Sequence, residues 1–263
     1  MRLIVTAVII SGIAVLMTMT GRGGGNFYVP VLVAAGEPMH EAATTGQCLL
    51  LATAFAGMLV FHKHKKVDWK LALVIDPPTD IMAFVGGYFS HLVGGTTLKV
   101  VLATLLVASS FCMLVNVKDR RPGNAWKFGF WRRKFGDDEY IVNLWVTIPL
   151  TAATGLVAGA VGISGGSFKI PLMVLACGVP MRIAVGTSSA MVAATALMGF
   201  IGHTAAGDFN PRWALPIACL AVVGGLLGGR LSLKTDPKKL KMLFVVSTLA
   251  AAVFMACQAL CSA

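Results

Sequence analysis

The chain has 263 residues, 57% of them hydrophobic and 13% charged, with a formal net charge of +11 and a mean hydropathy of +0.80. Soluble domains hold roughly half apolar and a quarter charged residues, so this balance excludes a water-soluble protein. The basic excess does not point to nucleic acid: it sits in short segments between apolar runs, where anionic lipid headgroups are the partner.

Eight apolar stretches are predicted, near 3–20, 42–61, 71–93, 99–117, 141–161, 183–202, 213–229 and 242–260. Most approach the roughly 20 residues of a spanning helix. Helix is required because lipid cannot satisfy open backbone groups, and no barrel-type alternation is present. The first stretch, MRLIVTAVIISGIAVLM, has the lone arginine and apolar core of a secretory signal. It lacks a convincing cleavage site and is expected to be retained.

That stretch ends in GRGGGNFYVP, 21 to 30, a glycine-rich break before a short helix expected near 27–36. Further on, ATTGQ places Thr44, Thr45 and Gln47 at the start of the next helix, and HKHKKVDWK, 62 to 70, makes a basic loop. DPPTD then sets Asp76 and Asp80 inside an apolar segment, with Pro77 and Pro78 expected to break the helix between them. Acids are costly at membrane depth, so two readings stand: carriage of a coupling proton or cation, or capping of a helix by Asp80. The long polar stretch from 116 to 140 is a linker rich in Lys and Arg, expected on the cytoplasmic side. Its Trp126, Phe128, Phe130 and Trp131 suggest an amphipathic helix lying on lipid.

After the linker the pattern recurs. GISGGSFKIP, 162 to 171, repeats the break, and VGTSS, 185 to 189, repeats ATTGQ. A shift of 141 pairs Gly21, Gly24, Gly25, Phe27 and Pro30 with Gly162, Gly165, Gly166, Phe168 and Pro171. A shift of 142 then pairs Thr45 with Thr187, ATA at 52–54 with ATA at 194–196, and Gly57 with Gly199. The expected fold is an all-α polytopic membrane protein of two homologous four-segment repeats, 1–115 and 141–263, each with a glycine-broken re-entrant or discontinuous helix. Charge bias reverses between corresponding loops: 62–70 is basic and 204–212 is not, while 91–99 is poor and 233–241 holds four lysines. That reversal is the mark of inverted copies. Inversion requires an odd number of crossings per copy. Since 3–20 is long enough to span, a parallel duplication with four crossings each stays open.

Irregular backbone at membrane depth is tolerated where it is buried in protein or lines a wet cavity. Each break sets glycine amides at a helix start, which attracts anions. The candidate binding residues are therefore Arg22, Gly24, Gly25 and Asn26 with Ser164, Gly165, Gly166, Ser167 and Lys169 at the breaks. Thr44, Thr45, Gln47, Thr187, Ser188 and Ser189 complete the ring. Close packing and interhelical hydrogen bonds are the competing account of such small residues, and Arg22, Lys169 and Arg182 can instead snorkel to an interface. No metal-ligand spacing, HExxH, GxSxG, haem-attachment or P-loop pattern occurs, so neither an enzyme nor a cofactor is indicated.

The stretch GLVAGAVGISGGSFKIPLMVLACGVPMRIAVGTSSAMVAATALMGFIGH, 155 to 203, with its weaker copy at 21–47, resembles the TauE/SafE sulfite exporter family over essentially the whole chain. The resemblance implies a multi-pass inner-membrane transporter of a bacterium or archaeon, for sulfite, a sulfonate or a related small sulfur-containing anion. The first copy departs from the pattern, with an arginine inside GRGGGN and TTGQ where GTS is usual. A membrane-embedded anion-binding subunit or sensor is the alternative from another class.

Overall fold

The computed structural model describes residues 2–37, 39–88, 104, 107–108, 110–111, 113–114, 128–161, 166–205, 209 and 211–261. Among the described residues, helices α1 Arg2–Met19, α2 Gly25–Ala34, α3 Met39–Lys63 and α4 Trp69–Tyr88 precede the linker. The described residues between 104 and 114 are also helical. Strands β1 Phe130–Phe135 and β2 Asp138–Asn143 come next. Then follow α5 Leu144–Val161, α6 Gly166–Pro171 continued by a π turn over Leu172–Ala176, α7 Met181–Ala205, α8 Pro211–Lys234 and α9 Pro237–Cys261.

The residue distribution is that of a protein in lipid. On α4, Leu73, Ile81 and Phe84 are 71%, 64% and 64% exposed, while Asp76 and Thr79 on the same helix are buried. Apolar groups outside and acids inside suit a hydrocarbon surround. Among the described residues, three helices are long and apolar enough to cross a membrane: Thr44–Lys63, Met181–Ile201 and Ala214–Lys234. Of the other expected spans, Ile4–Met19 and Leu144–Val157 are shorter apolar helices, and α4 carries Lys70, Asp76 and Asp80.

Helix α4 corrects one expectation. It continues through Pro77 and Pro78 rather than breaking there. Each proline removes one backbone donor, and α5 packs closely against the segment: a Cβ on Gly155 would lie 2.3 Å from the Thr79 carbonyl oxygen. Asp80 is consequently mid-helix and caps nothing.

Small residues set the helix directions by letting backbones touch. A Cβ on Gly224 would meet the Ser11 carbonyl oxygen at 2.7 Å and one on Gly228 that of Val15 at 2.4 Å, and Ser232 donates to the Met19 carbonyl at 2.9 Å. Helices α1 and α8 therefore run the same way. So do α3 and α8, with Gly225 against Thr53 and Ala56 and Gly229 against Val60. Helices α3 and α7 run oppositely: Gly186, early in α7, abuts Lys66 beyond the end of α3, and Gly199, late in α7, abuts Gln47 early in α3.

The described part of the linker is a β-hairpin, not the expected surface helix. The strands pair antiparallel, with Trp131 opposite Val142, Arg133 opposite Tyr140 and Phe135 opposite Asp138. The period-two alternation of FWRRKF explains this: Trp131, Arg133 and Phe135 are the less exposed residues, and Phe130, Arg132 and Lys134 face out.

Candidate functional site

The first break is a tight turn between α1 and α2. Gly21, Gly23 and Gly24 take φ of 73°, 71° and 99°, values that side chains with a β-carbon disfavour. The chain thereby turns back on itself, with the Arg22 N–H donating to the Met17 carbonyl at 3.1 Å. At the second break α6 starts at Gly166. Ser164 and Gly165 lie outside the described residues, as does the side chain of Asn26. After Pro171 the helix widens to i→i+5 bonding, Cys177 N–H reaching the Leu172 carbonyl at 3.3 Å. Such π turns are frequent at functional sites.

The two breaks meet. A Cβ on Gly166 would stand 3.2 Å from the Arg22 Cα and 3.5 Å from the Gly21 carbonyl oxygen. Arg22, 2% exposed, donates through Nε to Ser167 Oγ at 2.9 Å. Its Nη1 donates to Ser247 Oγ at 3.0 Å and Thr248 Oγ1 at 2.8 Å. The guanidinium also lies over the Phe244 ring, 5.2 Å from its centroid. Ser188 joins the group by donating to the Gly21 carbonyl at 2.9 Å. A buried cation ringed by hydroxyls at the meeting of two helix breaks is electrostatically suited to a small anion. Ser247 and Thr248 were missed by sequence reasoning; a lone Ser-Thr pair inside an apolar helix carries no distinguishing signal.

Lys169 has other company. Fully buried, it forms an ion pair with Asp76 Oδ1 and donates to Thr195 Oγ1 at 3.0 Å. Thr195 Oγ1 in turn lies 2.6 Å from Asp80 Oδ1. The break lysine and both acids of α4 thus form one cluster across α6, α4 and α7.

The remaining candidates divide. Thr44, Thr45, Ser188 and Ser189 are buried, and Gln47 lies against Gly199, toward the opposite end of α7 from Thr187. Thr187 Oγ1 accepts from the Asp68 backbone N–H at 3.0 Å. Asp68 is a further residue that sequence reasoning passed over. Its carboxylate caps α4 by accepting from Lys70 and Leu71 N–H at 3.1 and 3.2 Å. It also takes both arms of Arg133 at 2.8 Å and the Tyr140 hydroxyl. Burial pushes this carboxyl up, but the Arg133 guanidinium, the Tyr140 hydroxyl and the Leu71 N–H together hold it below the usual carboxylate range. An acid immediately before a helix was the available signal. Among the described residues no cluster of His, Cys, Asp and Glu is placed to hold a metal.

A family model described as Sulfite exporter TauE/SafE matches residues 5–255. The chain is similar to the "Probable membrane transporter protein YunE" of Bacillus subtilis (strain 168), 26% identical over 239 residues spanning 86% of this chain and 87% of that protein. It is also similar to the "Probable membrane transporter protein MJ0441" of Methanocaldococcus jannaschii, 24% identical over 251 residues spanning 88% and 86%. No solved structure matches.

Proposed function

The chain belongs to the TauE/SafE sulfite exporter family of membrane transporters, and on that premise we propose that it carries sulfite, a sulfonate or a related small sulfur-containing oxyanion across the inner membrane. The anion binds where the two glycine breaks meet, beside Arg22. One observation carries this reading: a guanidinium buried at membrane depth, oriented by the hydroxyls of Ser167, Ser247 and Thr248. A guanidinium presents planar, charged donors that match the acceptor oxygens of a small oxyanion. The amides of Gly24, Gly25 and Gly166 add donors at the helix starts.

The inverted arrangement of two repeats belongs to the same proposal. It is supported by the opposed directions of α3 and α7, which occupy corresponding places in the two copies, and by the exchanged pairing of α1 with α8 and α4 with α5. Residues 116–140 then join the repeats on the cytoplasmic side. Alternating access follows from one repeat rocking against the other around a site at their junction.

The test is radiolabelled sulfite flux in proteoliposomes, run with wild type and Arg22→Gln purified as monodisperse protein. Wild type is expected to transport, and the variant to bind sulfite about tenfold to a hundredfold more weakly, since one hydrogen bond from a charged group contributes roughly 1.5–3 kcal/mol. Sulfite binding by wild type without flux would identify an anion-binding subunit or sensor instead.

A further inference from the structure

The cluster of Lys169, Asp76, Asp80 and Thr195 has a charge problem that its geometry resolves. One ammonium faces two carboxylates. Asp76 is buried and Lys169 fully so, and both belong to helix segments packed inside the membrane protein. The elements around Asp80 bring no other described charge: α5 is uncharged throughout, and Arg182 of α7 is turned away, donating to the Thr235 carbonyl at 3.1 Å. With both acids ionised the cluster carries a surplus negative charge, expensive in a low dielectric. One proton makes it neutral.

The hydrogen bonds say where that proton goes. Lys169 donates directly to Asp76, and an ammonium has no acceptor, so this carboxylate is held as the standing counter-ion. Asp80 meets Lys169 only through Thr195. That hydroxyl lies 2.6 Å from Asp80 Oδ1 and 2.9 Å from the Met191 carbonyl oxygen. When Asp80 is ionised, Thr195 donates to it. When Asp80 is protonated, it donates to Thr195, whose own hydrogen turns to Met191. Both states are satisfied without moving a heavy atom, because a hydroxyl both donates and accepts.

A second observation separates this cluster from packing. At the shifts that align the two copies, Lys169 and Thr195 take the places of Tyr28 and Thr53, while Asp76 and Asp80 take those of Ala218 and Val222. Tyr28 and Thr53 are fully buried. The same place in the other copy is filled without charge, so the charges are not a requirement of the fold.

We propose that Asp80 is the exchangeable proton carrier that couples transport to the proton gradient, with Thr195 as its relay and the Lys169–Asp76 pair as the fixed charge against which it titrates. The proposal rests on the transport reading above, but part of its test needs no substrate. Infrared difference spectra of the purified protein, titrated in detergent, are expected to show a protonated carboxyl band that disappears on raising pH. Asp80→Asn should abolish the band. Thr195→Val should shift its midpoint while the protein stays monodisperse. In proteoliposomes Asp80→Asn should reduce net sulfite movement driven by a pH gradient to the leak of protein-free vesicles, yet retain sulfite–sulfite exchange, which moves no net proton. A band that persists in Asp80→Asn and vanishes in Asp76→Asn would overturn the assignment, as would full gradient-driven movement by Asp80→Asn. Absence of sulfite flux in wild type with the Asp80 band intact would fail the substrate reading alone.

Discussion

Gly166 is the residue at which the proposed anion site is most exposed to test. Its missing β-carbon is what lets α6 approach the Arg22 backbone, with Val192 Cγ2 2.9 Å away on the other side. Gly166→Val is therefore expected to remove sulfite binding, measured on monodisperse protein, while Gly12→Ala, whose β-carbon would meet nothing within 4 Å, leaves it unchanged. Gly57, whose sequence position suggests a harmless packing glycine, is a poor control: a Cβ there would strike Thr18 Cγ2 at 2.5 Å. Gly186→Ala tests a structural glycine instead, since its Cβ would fall 2.3 Å from the Lys66 carbonyl oxygen. Overpacking of this kind costs about 1–3 kcal/mol, and a lowered midpoint of thermal unfolding in detergent is the expected readout. Arg22, Gly166 and Ser167 were legible in the sequence because glycine breaks announce themselves. The partnership of Lys169 with Asp76 was not, because nothing in a one-dimensional pattern says that residues 93 apart will form an ion pair.

One buried carboxylate, that of Asp68, ties Arg133 and Tyr140 of the hairpin to the start of α4. Asp68→Asn keeps the α4 cap in part but loses the charge that Arg133 grips, and is expected to speed tryptic cleavage after Arg133 severalfold, read by limited proteolysis in detergent. The pH dependence follows from direction. A carboxyl held below its unfolded value contributes stability that is fully present above the ordinary carboxylate range and is lost as pH falls through the lowered value. Docking should thus survive mild acid and fail only in strong acid. The linker was misread as helix because its aromatic and basic composition was weighed above its alternation. Phe130, Arg132 and Lys134 on one face and Trp131, Arg133 and Phe135 on the other are a strand pattern, closed by Gly136 and Asp137. The sheet takes the inner face because Tyr140 and Val142 bury themselves against the helix core. Composition names a surface; period names the element.

At the scale of the molecule, the membrane class and the glycine break after α1 were readable, because each is written as a local run. How the copies interlock was not, since helix partners are chosen by small residues scattered along different segments: Gly224, Gly225, Gly228 and Gly229 fit one helix between α1 and α3. The inverted arrangement predicts that single cysteines at Lys65 and Lys238 label from the cytoplasmic side of intact cells and one at Arg212 from the opposite side. Labelling of positions 65 and 212 from the same side would refute inversion.

The exchanged pairing has a consequence for ancestry. On the proposed inverted arrangement, with α1 covered by α8 and α4 by α5, neither copy would bury its own outer helices, and a half-length forebear would have had no way to be a monomer. It would have worked as two identical chains, one inserted each way up, with every residue serving in both orientations. Joining the two in a single reading frame lifted that obligation. The Lys169 cluster, charged in one half and filled by Tyr28 and Thr53 in the other, is the kind of division of labour that identical partners are forbidden and fused ones are free to acquire.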